Sequence, residues 1–444
     1  MNSFVTPERI GRREAIRRIG SAVAGIATVP MLSDTSWAAA AKKRKPNIVL
    51  IVADDLGCGD LGCYGCPDIA TPNIDRLAAQ GARFTQSYVS APLCSPTRVS
   101  ILTGKYPLRT SLPYLPSSKN PNDGLSPDEI TLAEVLKSNG YATGIVGKWH
   151  LGYAPRFRPL NQGFDEFYGY LSGWADYINH TYNRTEKWMF RNNTPFDEPG
   201  YTTDLFSREA RAFIEKHKKR PFFLYLPFGA PHGPLKAPDG TTAETRDVFR
   251  AIMENFDYNV GQVMRKLKET GLENDTFVIF VSDNGADGVG SNAPFKGKKR
   301  TLYEGGIRTP FMARWPGRIK PGTVVAEPII CMDIFNTAAN AAGARIPAGA
   351  GVDGRDVLNV MQGKAKGPHE ILFWTYQNKN AVRRGQWKLV TEGDSAELYD
   401  LNADPSETTN RAAEQSSVVQ DLQGKLKQWK VEVTRGKSDA LVNG

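Results

Sequence analysis

The sequence contains little cysteine and histidine, with five residues of each among 444, and it has no apolar run long enough to cross a membrane. An odd number of cysteines in a chain of this length excludes a disulfide framework. The net charge is +9, but no zinc-finger, RNP or helix-turn-helix signature accompanies it, which argues against nucleic-acid binding. With 40% hydrophobic and 23% charged residues, the chain is predicted to be an ordinary globular protein with a large core.

Residues 1–40 have the composition of an export signal. Arginine pairs at 12–13 and 17–18 precede a short apolar segment, and small residues at 38–40 provide a cleavage site. The pattern favours the twin-arginine route and an exported, periplasmic or extracellular protein with no stable membrane span. A membrane anchor is the alternative, but the apolar segment falls well short of the roughly 20 residues that a span needs. Outside the cytoplasm, a basic surface favours anionic partners such as sulfated or carboxylated glycans.

Three cysteines, Cys58, Cys63 and Cys66, have the spacing of a plant-type ferredoxin cluster. That cluster needs a fourth cysteine, and these three follow a strand that already ends in acidic residues. We therefore expect one local disulfide among them in place of an iron–sulfur centre. Cys331 lies in an apolar run and is predicted to be a core residue.

Alternating strand and helix patterns predict an α/β fold. The run NIVLIVA at 47–53 is continuously apolar, as in a strand buried on both faces, and similar strands are expected at 141–146, 221–229 and 277–281. Helices are expected at 204–218 and 248–270, and Thr131 with Glu134 forms a capping box for another. The Gly- and Tyr-rich segment 161–180 is predicted to be a long loop.

The carboxy-terminal end has a different organisation. A Gly-rich linker at 347–367 is followed by short strands at 371–376, 387–390 and 397–399, and a final helix is expected at 418–433. We therefore predict an export signal at 1–40, a main domain at 46–365 and a small antiparallel α+β domain at 366–444.

Polar groups follow four of the predicted strands. These groups are Asp54-Asp55, Lys148 with His150, His232, and Asp283-Asn284. If the strands share one parallel sheet, their carboxyl ends place all of these groups at one edge, where open α/β sheets bind ligands. Oxygen ligands favour Ca²⁺ or Mg²⁺ over zinc. Each acidic pair alone is more often a helix cap or turn, but two pairs on adjacent strand ends would repel one another without a cation. A lone lysine or histidine is more often a surface or structural residue.

The segment LCSPTRVSILTG at 93–104 is predicted to be a loop that turns into a helix ended by Gly104. Cys94 then lies at the positive end of that helix, and Arg98 lies one turn later on the same face. This arrangement favours an anion beside a cysteine-derived group. The alternative is a small buried cysteine next to an arginine that pairs with a carboxylate.

These residues resemble the type I, formylglycine-dependent sulfatase family. Cys94-Ser95-Pro96-Thr97-Arg98 is similar to the signature C-x-P-x-R, and the likeness extends through DDLGCGDLGCYG, GKWHLG, GFDEFYGYLSG, APHGP, SDNG and KRTLYEGGIRTPF in family order. It implies an alkaline-phosphatase-like fold, with a large mixed central sheet flanked by helices and a smaller carboxy-terminal domain with a short antiparallel sheet.

The resemblance also implies the cofactors and the roles of individual residues. Cys94 would be oxidised to formylglycine (3-oxoalanine) by a formylglycine-generating enzyme or a radical maturase. One Ca²⁺ would be held, together with the Cys94-derived group, by Asp54, Asp55, Asp283 and Asn284. The sulfate would be bound by Arg98, Lys148, His150, His232 and Lys299. The resemblance favours Lys299 over Lys298 because Lys299 lies five residues before Glu304.

The implied reaction is hydrolysis of a sulfate ester. The aldehyde hydrate would attack sulfur, His232 would protonate the leaving alcohol, and His150 would accept the proton that releases sulfate. The segments at 163–180 and 201–237 are most similar to the arylsulfatase B branch, which implies a sulfated galactose or galactosamine unit. Trp174, Tyr177 and His180 are candidate sugar contacts, although ordinary loop packing explains them equally well. Two alternatives remain: a phosphatase or phosphonate ester hydrolase, and a non-catalytic protein that binds sulfated glycans.

Overall fold

The computed structural model describes residues 44–182, 186–187 and 189–435, which belong to one compact unit. The predicted export signal lies outside the described residues. Among the described helices, none combines the length and the apolar composition that crossing a membrane requires.

Ten strands form one mixed sheet in the order β13-β2-β12-β11-β1-β10-β4-β5-β8-β9, and its five central strands, β11 to β5, are parallel. The strands of the molecule are β1 (Asn47–Ala53), β2 (Ala82–Phe84), β3 (Ser87–Tyr88), β4 (Ala142–Lys148), β5 (Glu166–Tyr170), β6 (Thr181–Tyr182), β7 (Glu186–Lys187), β8 (Met189–Arg191), β9 (Thr194–Pro195), β10 (Phe222–Pro227), β11 (Thr276–Ser282), β12 (Phe311–Arg314), β13 (Thr323–Val325), β14 (Ile329–Ile330), β15 (Ile371–Tyr376), β16 (Lys379–Arg384), β17 (Trp387–Glu392) and β18 (Ser395–Asp400).

Helices lie on both faces of this sheet. The helices of the described chain are α1 (Pro72–Ala79), α2 (Cys94–Thr103), α3 (Leu132–Ser138), α4 (Thr202–His217), α5 (Arg246–Glu269), α6 (Glu304–Ile307), α7 (Asp333–Ala341), α8 (Leu358–Met361) and α9 (Ser416–Val433). The capping box of Thr131 and Glu134 is present at the start of α3. The predicted helices at 204–218 and 248–270 correspond to α4 and α5.

The central strand β1 explains why the sheet has a core on each side. Ile48, Leu50 and Val52 belong to one hydrophobic cluster, whereas the alternate residues Val49 and Ile51 belong to the other. All are fully buried, as the continuous apolar run predicts.

The carboxy-terminal strands β15 to β18 form a separate four-stranded antiparallel sheet, against which α9 packs. Its inward side chains, such as Trp374 and Leu389, belong to the same cluster as one face of the main sheet. The predicted α/β class with a smaller antiparallel α+β part is confirmed. The exact boundary at 365–366 stays a prediction.

Among the elements that differ from expectation are β5 and β16. The segment predicted as a long loop contains β5, in which Gly169 interrupts the apolar pattern; a Cβ there would lie 1.9 Å from the carbonyl oxygen of Gly147 on β4, so close strand approach requires glycine. Strand β16 was not predicted because its sequence KNAVRR is mostly polar.

The expected disulfide among Cys58, Cys63 and Cys66 is wrong, because all three thiols are free. Their sulfur atoms have different neighbours. Cys58 Sγ lies 3.9 Å from the carbonyl oxygen of Arg308, Cys63 Sγ lies 3.9 Å from the sulfur of Met312, and Cys66 donates to Asp68.

Candidate active site

The carboxyl ends of the parallel strands bring the predicted polar groups to one edge of the sheet. Asp54 and Asp55 follow β1, Lys148 ends β4, and Asp283 follows β11. His232 comes from the loop after β10, and its main-chain N–H donates to the carbonyl oxygen of Gly229. The topology therefore assembles the site from segments that are far apart in sequence.

Helix α2 begins at Cys94 and ends where Gly104 adopts a left-handed conformation (φ 69°), as the sequence predicts. Pro96 lies in the first turn, where the lack of an N–H has no consequence. Cys94 itself is 3% exposed. Burial raises the pKa of its thiol, although the charges of Lys148 and Lys299 act in the opposite direction.

Arg98 connects the helix to the carboxylates. Its Nε and Nη2 donate to Asp283 Oδ2 at 2.9 and 2.7 Å, and Nη2 lies 3.5 Å from Asp54 Oδ1. Lys148 Nζ donates to Asp54 Oδ2 at 2.6 Å. All four side chains are fully buried. Burial raises the pKa of Asp54 despite Lys148, whereas Arg98 and Lys148 overcome burial and lower that of Asp283.

Asp55 forms a second ion pair beside the first. Its backbone has φ 65°, and its Oδ2 accepts from Lys299 Nζ at 2.7 Å while its Oδ1 accepts from Asn284 Nδ2 at 2.7 Å. Burial opposes ionisation of Asp55, but the charges of His232 and Lys299 outweigh it and lower its pKa. Lys299 is 3% exposed, whereas 63% of the Lys298 side chain is exposed, so Lys299 is the lysine that reaches the site.

His232 lies next to this pair. Its Nε2 is 3.1 Å from Lys299 Nζ and 3.6 Å from Asp55 Oδ2, and its Nδ1 bonds to the carbonyl oxygen of Gly233. Burial and the charge of Lys299 lower the pKa of His232 to about 4, although Asp55 acts in the opposite direction. The imidazole is therefore neutral near pH 7 before an anion binds.

His150 is held by its main chain, which has φ 57°. Ser95 Oγ donates to the carbonyl oxygen of His150 at 2.7 Å. The main-chain N–H of His150 donates to the carbonyl oxygen of Leu171 at 3.2 Å. Burial, with the positive charges of Lys148 and Arg98, keeps the pKa of His150 well below its usual value. Its Nδ1 has no hydrogen-bond partner among the described residues.

The residues Asp54, Asp55, Asp283 and Asn284, here called the acidic cluster, fit a hard cation. Two buried oxygens, Asp54 Oδ1 and Asn284 Oδ1, have no hydrogen-bond donor among the described residues. Ligand atoms of Asp54, Cys94 and Asp283 lie within 4.8 Å of one another, as do those of Asp54, Asp55 and His232. Carboxylate and amide oxygens that lack donors are what Ca²⁺ requires.

A cavity of about 350 Å³ opens next to the cluster. Asp55, His232 and Lys299 form its inner end, and charged side chains such as Asp287 and Arg300 line its outer part. An ester bound at Lys299 and His232 therefore has room for a polar leaving group in this cavity.

The candidate sugar contacts are not equally accessible. Tyr177 is 3% exposed, its hydroxyl donates to the carbonyl oxygen of His232 at 2.9 Å, and its ring stacks on Tyr201. His180 is 1% exposed and bonds through Nε2 to the carbonyl oxygen of Gly200. Trp174 is only partly buried. This placement makes Trp174 the most accessible of the three and gives Tyr177 contact with the loop that carries His232.

Sequence reasoning missed a buried ion network behind the site. Lys388 Nζ lies 2.8 Å from Oε1 of both Glu304 and Glu407, and all three side chains are fully buried or nearly so. Glu304 Oε2 accepts from Tyr88 at 2.6 Å and from Arg308 at 3.1 Å. The network joins α6, which follows the Lys299 loop, to the carboxy-terminal sheet. A single lysine in a strand of mixed polar and apolar residues gives no sequence signal for such a role.

The fold and the site define an enzyme of the class that hydrolyses anionic esters, with a buried acidic cluster, an anion-binding set of cations and a cysteine at a helix N-terminus. The sulfatase family model matches residues 46–344, and the model for the carboxy-terminal region of N-sulphoglucosamine sulphohydrolase matches residues 296–432. The chain belongs to the sulfatase family and is a sulfatase of an arylsulfatase-like branch, which confirms the predicted family and the alkaline-phosphatase-like fold. The narrower assignment to the arylsulfatase B branch stays a prediction.

Individual relatives agree with this assignment. N-acetylgalactosamine-6-sulfatase of Canis lupus familiaris is 36% identical over 400 residues, which cover 83% of this chain and 76% of the relative. Steryl-sulfatase of Homo sapiens is 33% identical over 492 residues, which cover 82% of this chain and 83% of the relative. The crystal structure of Ps i-CgsB in complex with k-i-k-neocarrahexaose is 31% identical with a TM-score of 0.81, and covers 87% of this chain and 93% of that one.

Proposed function

We propose that this sulfatase hydrolyses sulfate esters on a galactose- or galactosamine-type glycan, with a nucleophile derived from Cys94. The observation that carries the proposal is the convergence of three buried cations, Arg98, Lys148 and Lys299, around the acidic cluster and Cys94. Cations in a site shielded from water stabilise an oxyanion strongly.

Two groups complete the proposed site. Bound Ca²⁺, held by the acidic cluster, supplies a Lewis acid for an anionic ester. Oxidation of Cys94 to formylglycine by a maturation enzyme supplies an oxygen nucleophile in place of a thiol. The fully buried position of Cys94 next to oxygens that lack donors supports both assignments.

The cations bind and orient the ester. Lys148 donates one hydrogen bond to a carboxylate, and Lys299 donates to a carboxylate and to His232 Nε2, which leaves two ammonium donors on Lys148 and one on Lys299 for sulfate oxygens. Arg98 already uses two donors on Asp283, so it holds that carboxylate and contributes positive charge.

Two histidines handle protons. His232 Nδ1 bonds to a carbonyl oxygen, so Nδ1 carries a proton and Nε2 is the atom that takes up and delivers one. A bound sulfate ester adds negative charge beside Nε2 and raises the pKa of His232 from its low value, which lets it protonate the leaving alcohol. His150 remains neutral and can accept a proton, because cations surround it.

The leaving alcohol is proposed to be a sugar for two reasons. The cavity beside His232 contains the charged side chains Glu244, Asp287 and Arg300, which can form hydrogen bonds with the hydroxyl groups of a sugar, next to the apolar Leu235, Phe249 and Val289. The names of the relatives include an N-acetylgalactosamine sulfatase, and one solved structure is a complex with a neocarrahexaose.

Mass spectrometry of the Cys94 peptide, from protein made in its native host, tests the nucleophile. We expect the peptide to have the mass that corresponds to an aldehyde at position 94, and not the mass of the unmodified cysteine peptide. In a separate variant, Cys94→Ala should abolish turnover and leave the fold intact. Cys331→Ala is the matched control, because Cys331 is also a buried free thiol but lies in the hydrophobic core. An unconverted Cys94 in active protein would overturn the proposal.

Substrate pairs test the reaction and the alcohol. Rates are compared on matched aryl sulfate and aryl phosphate esters, and then on sulfated galactose, sulfated N-acetylgalactosamine and a sulfated sterol. We expect sulfate over phosphate and sugar over sterol. Faster phosphate hydrolysis would support the phosphatase alternative, and tight glycan binding without turnover would support the non-catalytic one.

A further inference from the structure

A second charged cavity lies between α1 and α5. Its volume is about 320 Å³. Four cationic residues line it, Arg76, Arg265, Lys268 and Arg314, against a single carboxylate, Glu273. The excess of positive charge marks it as a candidate anion site.

Arg314, on β12, distinguishes this cavity from an ordinary basic surface. It is 6% exposed, and its Nε and Nη1 donate to neutral oxygens only, to Gln80 Oε1 at 2.9 Å and to the main-chain carbonyl of Glu273 at 3.2 Å. Within the described part of the chain, no carboxylate forms an ion pair with it. Burial lowers the pKa of Arg314, although Glu273 acts in the opposite direction.

A buried guanidinium without a counter-ion is costly. The buried Arg98 shows the usual solution, since it pairs with Asp283 at 2.7 Å. The hydrogen bonds of Arg314 use Nε and Nη1, and its Nη2 is not among the buried atoms that lack a partner, so Nη2 is open to solvent in the cavity that the side chain lines. An anion in the cavity would replace water at this group and supply the missing counter-charge.

Helix electrostatics explain only part of the cluster. Arg76 and Lys268 lie in the last turns of α1 and α5, where cations interact favourably with the helix dipole. Arg314 lies in a strand, so this effect does not account for it. The cluster therefore has a charge that the fold itself does not neutralise.

The cavity is separate from the catalytic site. Arg314 pairs with Val278 of β11, five residues before Asp283. At about 3.3 Å per residue, the two positions are about 16 Å apart along the strand. One ion cannot contact both.

We propose that this cavity is a second oxyanion site, in which Arg314, Arg265 and Lys268 bind a sulfate group of the polymeric substrate away from the ester that is cleaved. The assignment of this sulfate to the substrate rests on the proposed function, whereas the presence of an oxyanion site does not. A guanidinium presents donors in a planar fork that matches tetrahedral oxyanions. Free inorganic sulfate has the same chemistry and is the other source that the test separates.

The first measurement is crystallographic. Crystals of the full chain are soaked in sodium selenate, and anomalous density is sought beside Arg314. We expect a peak in the wild type and in Lys119→Ala/Lys364→Ala, which also removes two exposed charges, and no peak in Arg265→Ala/Lys268→Ala. Absence of the peak in the wild type overturns the proposal, whatever the enzyme hydrolyses.

The second measurement identifies the source. For Arg265→Ala/Lys268→Ala and for Arg314→Lys, we expect KM on a sulfated polysaccharide to rise about tenfold, the equivalent of one lost charge-assisted contact, with KM on a small aryl sulfate unchanged. A selenate peak with unchanged polymer KM assigns the site to the free ion and overturns the polymer contact. An equal rise in the control variant would reduce the effect to net charge and also overturn it.

Discussion

Gly173→Ala tests whether the position of His150 is set by close packing. The Cβ of alanine at 173 would lie 2.8 Å from both Cε1 and Nε2 of the His150 ring, where ordinary contacts begin at 3.4 Å. The backbone of Gly173 is not left-handed, so alanine adds no backbone strain. The main chain of His150 is held by the bond from Ser95 Oγ, so the ring would have to move by about 0.6 Å to reach an ordinary contact of 3.4 Å.

A displacement of about 1 Å in a reacting group costs on the order of a hundredfold in rate, so we expect kcat to fall between about ten- and a hundredfold. KM should change little, because the substitution leaves Lys148 and Lys299, the proposed sulfate contacts, in place. Steady-state kinetics on an aryl sulfate give both numbers, and thermal unfolding checks the fold. Gly424→Ala is the control, since nothing lies within 4 Å of its Cβ and alanine in a helix is favourable. Wild-type kcat in Gly173→Ala would refute the packing argument.

Three further outcomes are expected. Lys388→Met removes the cation that Glu304 and Glu407 share, so that Glu304 keeps Arg308 whereas buried Glu407 loses its ion pair. Urea unfolding should show a loss of about 3–5 kcal/mol, and an unchanged midpoint would contradict the role of the network. Burial raises the pKa of Asp60 to about 6, although the hydrogen bond from Arg246 acts in the opposite direction. The protonated carboxyl therefore contributes fully to stability below about pH 3.8, and this contribution is lost as the pH rises through 6. In Asp60→Asn, the free energy of unfolding should lack this decrease between pH 3.8 and 6. Removal of divalent ions should lower Tm and abolish turnover, and added Ca²⁺ should restore both; full activity in the chelated enzyme would exclude a metal at the acidic cluster.

Much of the fold follows from local patterns. The apolar run of β1 predicted a strand buried on both faces, and its alternate residues do reach the two cores. Strand β16 escaped prediction because its burial depends on distant partners: Arg383 on this strand is buried against Tyr88, nearly three hundred residues earlier in the chain. Such a contact leaves no trace in the residues around it.

The sequence predicts which residues come together in the candidate site, but it does not predict the contacts that position them. The polar residues directly after the apolar strands predicted the acidic cluster, because the carboxyl ends of parallel strands lie at the same edge of the sheet. The contacts of Tyr177 and Ser95 with the main chains of His232 and His150 were not predictable, because each joins a side chain to a carbonyl oxygen more than fifty residues away. Sequence spacing says nothing about those carbonyls.

Cys94 shows how competing effects decide the chemistry of this site. From sequence, a helix N-terminus and a nearby arginine favour an anion, and in other proteins such surroundings lower the pKa of a cysteine thiol. In the structure the thiol is 3% exposed, and burial outweighs Lys148 and Lys299 so that its pKa is raised. An unmodified Cys94 is thus a neutral, weak nucleophile, while Lys148 and Lys299 are paired with Asp54 and Asp55 in a cluster that has donors left for an anionic ester. These surroundings favour an oxyanion bound beside Cys94 over an ionised thiol on Cys94 itself. For this reason we expect the side chain to be converted before the enzyme is active.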